Sequence, residues 1–238
     1  MKNVPNIKIM GIGCCGNNIL KYVMNQSIEN VGYMAMLLLN FGAESTIEIH
    51  RDGVHGLYKD GNWNAVKRKA LVVELDKALT DLDVLFIVAG MGGFEGTTMA
   101  PFVAQRAKEL GIMTVALVTR PFSFEGKIRG QKADHGLEQL QRYADAILVV
   151  PDDALVTLMG KNMELKEGFQ KSNQFFYQKI HEKCQLLNAA ENPSLSRDEV
   201  RVILQGQGES FEDFFLKNEQ EWVVCWLSDL GHRLLGGE

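Results

Sequence analysis

Apolar positions recur along this chain in short, nearly unbroken runs: Ile7–Met10, Tyr33–Leu39, Val84–Ala89, Met113–Val118 and Ala146–Val150. Strands buried on both faces look like this, and both faces are covered only where helices flank a parallel sheet. Thr46–His50 alternates with period two and predicts a half-exposed edge strand. Between the runs lie stretches with helical spacing. Asn18–Asn25 sets Ile19, Leu20 and Val23 on one side, and Ala65–Leu79 carries Val66, Ala70, Val73 and Lys77 as a stripe. Pro101–Leu110 opens on a proline suited to a first helical turn and closes at Gly111, and Gly136–Tyr143 is shorter. The predicted class is α/β, a doubly wound parallel sheet.

Beyond Pro151 the pattern changes. Met163–Asn188 predicts one long helix, with Leu165, Phe169, Phe176, Ile180, Cys184 and Leu187 along a stripe, stopped at Asn192-Pro193. Ser196 and Glu199 form a capping box ahead of a short helix through Leu204. Trp222, Trp226, Leu230 and Leu234 recur every fourth residue, as on an amphipathic C-terminal helix. The expected organisation is a sheet domain over residues 1–160, a long helix over 161–192 and a short helical extension over 193–238.

Composition narrows the class. Hydrophobic residues make up 46% and charged residues 23% of the 238, which excludes a disordered chain. A net charge of −5 argues against nucleic acid as a partner, because phosphate binding needs clustered cations. No apolar run is long enough for an integral membrane segment, and Met1–Asn6 lacks a signal-peptide core, so a cytoplasmic protein is expected. Cys14, Cys15, Cys184 and Cys225 form no C-x-x-C pair and the histidines are scattered, so no metal site is expected.

Two glycine-rich loops carry the chemistry. Gly11-Ile12-Gly13-Cys14-Cys15-Gly16-Asn17-Asn18 follows a strand and opens a helix, where backbone N–H groups and the helix dipole hold phosphate. It matches GxGxxG, yet the second apolar run ends Asn40-Phe41-Gly42, without the acidic residue a dinucleotide fold uses on the ribose. The second loop, Gly90-Met91-Gly92-Gly93-Phe94-Glu95-Gly96-Thr97-Thr98, repeats the arrangement after a buried strand. No Gly-Lys-Ser/Thr occurs in the chain, which excludes a Walker A loop. Two such loops point to a phosphate or an equivalent anion.

The block Asp83–Gly93, Ala100-Pro101 and Leu110–Lys127 resembles the FtsZ branch of the tubulin superfamily. The first loop resembles that family's GGGGNN loop, and Val150-Pro151-Asp152-Asp153 its IPND turn. The resemblance spans roughly residues 6–205 and implies GTP or GDP as ligand, with or without Mg²⁺, and self-association into a filament of the family, with a role in division or membrane remodelling. It makes residues 1–160 the nucleotide-binding domain. By position it implies that Gly13, Cys14, Cys15 and Asn17 lie at the phosphates and nucleoside, and that Gly92, Gly93, Gly96 and Thr97 cradle the β- and γ-phosphates. Glu125 and Arg129 match residues near the ribose and terminal phosphates, while Phe169 would stack near the base and Asn173 would read it.

Departures from the family pattern are specific. Where the family reads GGGTGTG, Phe94 and Thr98 add side chains and Glu95 adds a negative charge. Two unit charges about 5 Å apart at an effective dielectric near 20 repel by roughly 3 kcal/mol, about two decades in affinity. Gln174 replaces an aspartate on the base-reading helix, Asp152 replaces an asparagine, and Asn40–Ala43 lacks the acid of N-T-D-A. In the family's NxDxxD hydrolysis loop only Glu199 falls on an acidic position, with Ser196 on the other, so Glu199 is the candidate catalytic residue and weak or absent hydrolysis is expected. The same two residues also serve as a helix cap. Family members carry a second sheet domain after the long helix, whereas 46 residues follow Asn192 here. Phe175, Phe176 and Ile180 would then lie bare unless the C-terminal segment folds back or a second subunit covers them. Two functions stay open: an FtsZ-like GTP-binding protein that self-associates, or a pseudo-GTPase scaffold with an emptied site. A salt bridge from Glu95 to Arg120 or Arg129 would favour the second.

Overall fold

The computed structural model describes residues 5–36, 65–158 and 165–189. Five strands, β1 (Ile7–Ile12), β2 (Val31–Met36), β3 (Val84–Gly90), β4 (Met113–Arg120) and β5 (Ala146–Pro151), form one sheet in the order β2-β1-β3-β4-β5. Every pairing is parallel, with Ile7 opposite Val31 on one side and Val84 on the other. The apolar runs are strands because they are buried on both faces: Val84 to Ala89 are all at most 1% exposed. The predicted strand over Thr46–His50 lies outside the described residues, as do the boundaries at 160 and 192, the helices expected over 193–238, and Glu199.

Six α-helices, α1 (Gly13–Gln26), α2 (Ala65–Leu79), α3 (Phe94–Glu109), α4 (Lys127–Gln141), α5 (Asp152–Leu158) and α6 (Leu165–Ala189), and one 3-10 turn at Ser123–Glu125 complete the described fold. The chain steps from β1 to β2 in one direction and from β3 through β5 in the other. With right-handed crossovers this puts α1 on one face and α2, α3 and α4 on the opposite one. The contacts agree, since α1 packs with α6 while α2, α3 and α4 form a row. Asp76 on α2 joins that row to α3 by accepting two hydrogen bonds from Arg106, at 2.5 and 2.8 Å.

Several helices differ from expectation. Helix α3 begins seven residues before Pro101, which sits inside the helix and lacks the N–H that would bond the Thr97 carbonyl. Helix α4 begins at Lys127, well before Gly136, and that glycine is a packing point: a Cβ there would lie 2.6 Å from Thr97 Cγ2 and 2.7 Å from Met91 Cε. On α2 the buried face is Leu71, Leu75 and Leu79, whereas Val73 from the predicted stripe is 47% exposed. On α6, Phe175, Phe176 and Ile180 are fully buried within the chain, so this face is not bare.

Candidate functional site

The sheet changes winding direction between β1 and β3. At such a switch point the two outgoing loops diverge and leave a crevice beyond the carboxyl ends of the strands. Both glycine loops leave here, and the crevice opens into a cleft of about 1380 Å³. Its floor is the start of α1 and of α3. Neither helix has a side-chain cap: Ile12 precedes α1 and Gly93 precedes α3. No N-cap side chain takes up the first-turn N–H groups of either helix, the arrangement in which a helix start can receive an anion.

The glycines divide by what surrounds them. A Cβ on Gly16 would lie 2.1 Å from the Val88 carbonyl oxygen, and one on Gly96 2.1 Å from that of Gly90. These two glycines let α1 and α3 press against β3. Gly13 and Gly92 have φ of +72° and +90°, a region other residues rarely adopt. Gly93 differs from all of these, because its φ of −82° suits any residue and a Cβ would meet nothing within 4 Å. Neither backbone nor packing calls for glycine at 93, and the vacated space belongs to the cleft.

Of the residues assigned to this site from sequence, Gly13, Cys14, Cys15, Gly93, Gly96, Glu125, Arg129, Phe169 and Asn173 line the cleft together. Asn17, Gly92 and Thr97 do not. The Asn17 amide donates to the Met36 carbonyl at 3.1 Å, and Thr97 Oγ1 accepts from the Gly92 N–H at 2.8 Å, so both brace the loops from beneath. Gln174 is exposed and off the cleft wall, whereas Gln170 and Ser172 are on it. Arg120 pairs with Asp134 at 2.8 Å and Arg129 with Glu125 at 3.1 Å. The carboxylate of Glu95 reaches the first loop, 2.9 Å from where a Cβ on Gly13 would sit.

One wall is aromatic. Phe122 stacks on Phe124 with centroids 4.8 Å apart and meets Phe169 edge-on at 6.1 Å. Phe124 is 73% and Phe169 40% exposed, which leaves ring surface for a planar group. Cys15 is held as a neutral thiol: burial pushes it up to about 11, against a weak 3.7 Å contact with Thr119 Oγ1. Asp152, at the exit of β5, is pushed up to about 7, first by burial and then by Glu125 and Asp153, with Arg129 opposing. Sequence reasoning left Asp152, Thr119 and Phe122 out of the site. The signal for Asp152 and Thr119 was available, since each stands at the carboxyl end of a strand on the crevice side of the sheet.

The Tubulin/FtsZ family GTPase-domain model matches residues 6–160. The chain belongs to the tubulin/FtsZ family. It is 33% identical over 215 residues to the cell division protein FtsZ of Buchnera aphidicola, covering 87% of this chain and 56% of that protein. It is 36% identical over 176 residues to FtsZ of Pseudomonas putida, covering 71% of this chain and 44% of that protein. The chain thus spans about half the length of these curated relatives. Among solved structures, the empty FtsZ dimer of M. jannaschii superposes with a TM-score of 0.64 at 25% identity, covering 84% of this chain and 60% of that one. A GTPγS-bound protofilament of CetZ2 from Haloferax volcanii shares the fold, with a TM-score of 0.57 at 23% identity, covering 82% and 61%. Among the described residues no helix is long and apolar enough to cross a membrane, and no cluster of three acidic, histidine or cysteine residues is placed to hold a metal ion.

Proposed function

We propose that this chain is an FtsZ-like protein that binds GTP or GDP in the cleft, self-associates, and hydrolyses GTP weakly or not at all. The observation that carries the reading is Gly93: a glycine required by neither backbone nor packing, at an uncapped helix start facing the cleft. In this reading the N–H groups opening α1 and α3 hold phosphate, while Glu125 and Arg129 lie near the ribose. The base stacks near Phe169, with Asn173 at its edge. Glu199 is the one carboxylate assigned to hydrolysis, acting on a neighbouring subunit. By likeness to the FtsZ relatives, the role is in cell division or membrane remodelling, in the cytoplasm.

One observation favours a second reading, a pseudo-GTPase scaffold. Glu95 brings a carboxylate to the first loop, where a phosphate would sit. Calorimetric titration of nucleotide-free protein with GTP, GDP and ATP, each with Mg²⁺, separates the two. Micromolar binding with guanine preference supports the first. Silence at millimolar nucleotide rejects it in favour of the scaffold.

A further inference from the structure

Asp152 stands out among the cleft residues. Its side chain is buried, it lines the cleft, and its Oδ1 has no hydrogen-bond partner. A buried, unpaired carboxylate oxygen is costly, and the cost is smallest when the group is a neutral acid. The charges around it reinforce that form. Glu125 faces it from the turn after β4, Asp153 adjoins it on α5, and Glu95 lies on the same cleft from α3. Against these stand Arg129 from α4, already bound to Glu125, and Lys166 from α6, while Cys15 from α1 is neutral.

We propose that Asp152 makes nucleotide binding proton-linked, so that a nucleoside diphosphate or triphosphate enters the cleft with the Asp152 carboxyl protonated. The inference rests on the nucleotide reading above. A bound nucleotide removes the remaining water and adds negative phosphate charge, and both act against the ionised carboxyl. The neutral acid also offers a donor as well as an acceptor to the ligand, where the carboxylate offers acceptors alone. In the free chain burial and the carboxylates of Glu125 and Asp153 push the group up to about 7, so at pH 8 it is mostly ionised and must regain a proton on binding. With one proton taken up, affinity falls about tenfold between pH 6 and pH 8.

The test is calorimetric titration with GDP from pH 6 to 8, in buffers of different ionisation enthalpy, on the natural chain and on Asp152→Asn. Asparagine keeps the shape and neutrality of the protonated acid without its titration. The terminal phosphate of GDP titrates near pH 6 in both titrations, so the difference between the proteins isolates Asp152. The expected result is an extra tenfold loss by pH 8 in the natural chain and uptake of about one proton there, with neither in the variant. Equal pH slopes in the two proteins overturn the proposal while leaving nucleotide binding intact. The proton uptake of the natural chain at pH 8 needs no variant, and its absence overturns the proposal equally. GDP binding by neither protein at any pH overturns the nucleotide reading and the proposal together.

Discussion

Gly93 and Gly96 stand three residues apart at the start of α3, yet the structure gives them opposite reasons for lacking a side chain. Replacing Gly96 with alanine sets a Cβ 2.1 Å from the Gly90 carbonyl oxygen and 2.9 Å from its carbon. Ordinary contact begins near 3.4 Å, and both partners are backbone, so α3 must lift from β3 by more than an ångström. Overpacking of this kind costs about 1–3 kcal/mol, and with no flexible side chain to yield the upper end is expected. Replacing Gly93 with alanine clashes with nothing in the protein and restricts the unfolded chain, so stability should stay level or rise by about 0.4–1 kcal/mol. The same methyl group stands where the cleft's ligand would lie, and an overpacking cost of about 1–3 kcal/mol there weakens GDP binding by about 5- to 150-fold. Urea denaturation followed by circular dichroism reads the first quantity, and calorimetry the second. A Gly93→Ala protein that loses a kilocalorie of stability would mean that the glycine serves the fold. One that binds GDP as tightly as the parent would mean that α3 does not hold the phosphate. A tolerated Gly96→Ala would refute the packing argument.

Three further outcomes follow from the same structure. Glu95→Gln should tighten GDP binding by about tenfold, a figure cut from the full Coulomb repulsion because the side chain is half-exposed, and the gain should shrink at high salt; unchanged affinity at low salt rejects the electrostatic argument. Leu75→Ala on α2 removes a fully buried side chain and should cost about 2–5 kcal/mol in urea denaturation, while Val73→Ala should stay within about 0.5 kcal/mol; the reverse order would restore the face read from sequence. The Arg106 guanidinium holds the Asp76 carboxyl below its ordinary 3.8, so this pair stabilises the fold above that pH and ceases to as the pH falls through the lower folded value. Asp76→Asn should therefore lower the urea midpoint at neutral pH, and the gap from the parent should close in acid.

Much of the fold was legible because burial on both faces leaves a plain trace. Val84–Ala89 and Met113–Val118 have no polar alternation to confuse, and the structure extends them by only one or two residues. Helices were less legible wherever proline or glycine sat inside them. Pro101 read as a start because its ring suits a first turn, yet the packing of α3 on β3 outweighs one lost hydrogen bond. The helix expected from Gly136 begins nine residues earlier, and Gly136 lies inside it, where the missing side chain lets Thr97 and Met91 approach α4. Of the twelve residues assigned to binding, nine line the cleft: Gly13, Cys14, Cys15, Gly93 and Gly96 because both loops leave the sheet at its switch point, and Glu125, Arg129, Phe169 and Asn173 because the turn after β4, α4 and α6 close it. Asn17 and Thr97 do not, since a small polar side chain beside a loop serves its own backbone as readily as a ligand. The place of Asp152 at the carboxyl end of β5 is legible, but its burial and the carboxylates gathered around it are not, because they depend on packing between distant segments.

That burial has a consequence for stability without any ligand. An aspartate whose folded pKa is raised keeps a proton that the unfolded chain has already released. Between the ordinary value of 3.8 and the folded value of about 7 the folded state binds the extra proton, so stability falls as pH rises through that window and is flat above it. About three pKa units set a ceiling of about 4 kcal/mol, which water entering the open cleft reduces. Asp152→Asn removes this loss. Its urea midpoint should match the parent near pH 4, exceed it increasingly up to pH 7, and keep a constant lead beyond. Parallel curves from pH 4 to 8 would mean that the carboxyl is solvated in the folded chain. A widening gap would mean that the chain holds, at the wall of its cleft, a group that weakens its own fold at neutral pH. The Oδ1 of that carboxyl has no hydrogen-bond partner among the described residues. The stability forgone is then accounted for by what enters the cleft, as at sites where function is kept at the expense of the fold.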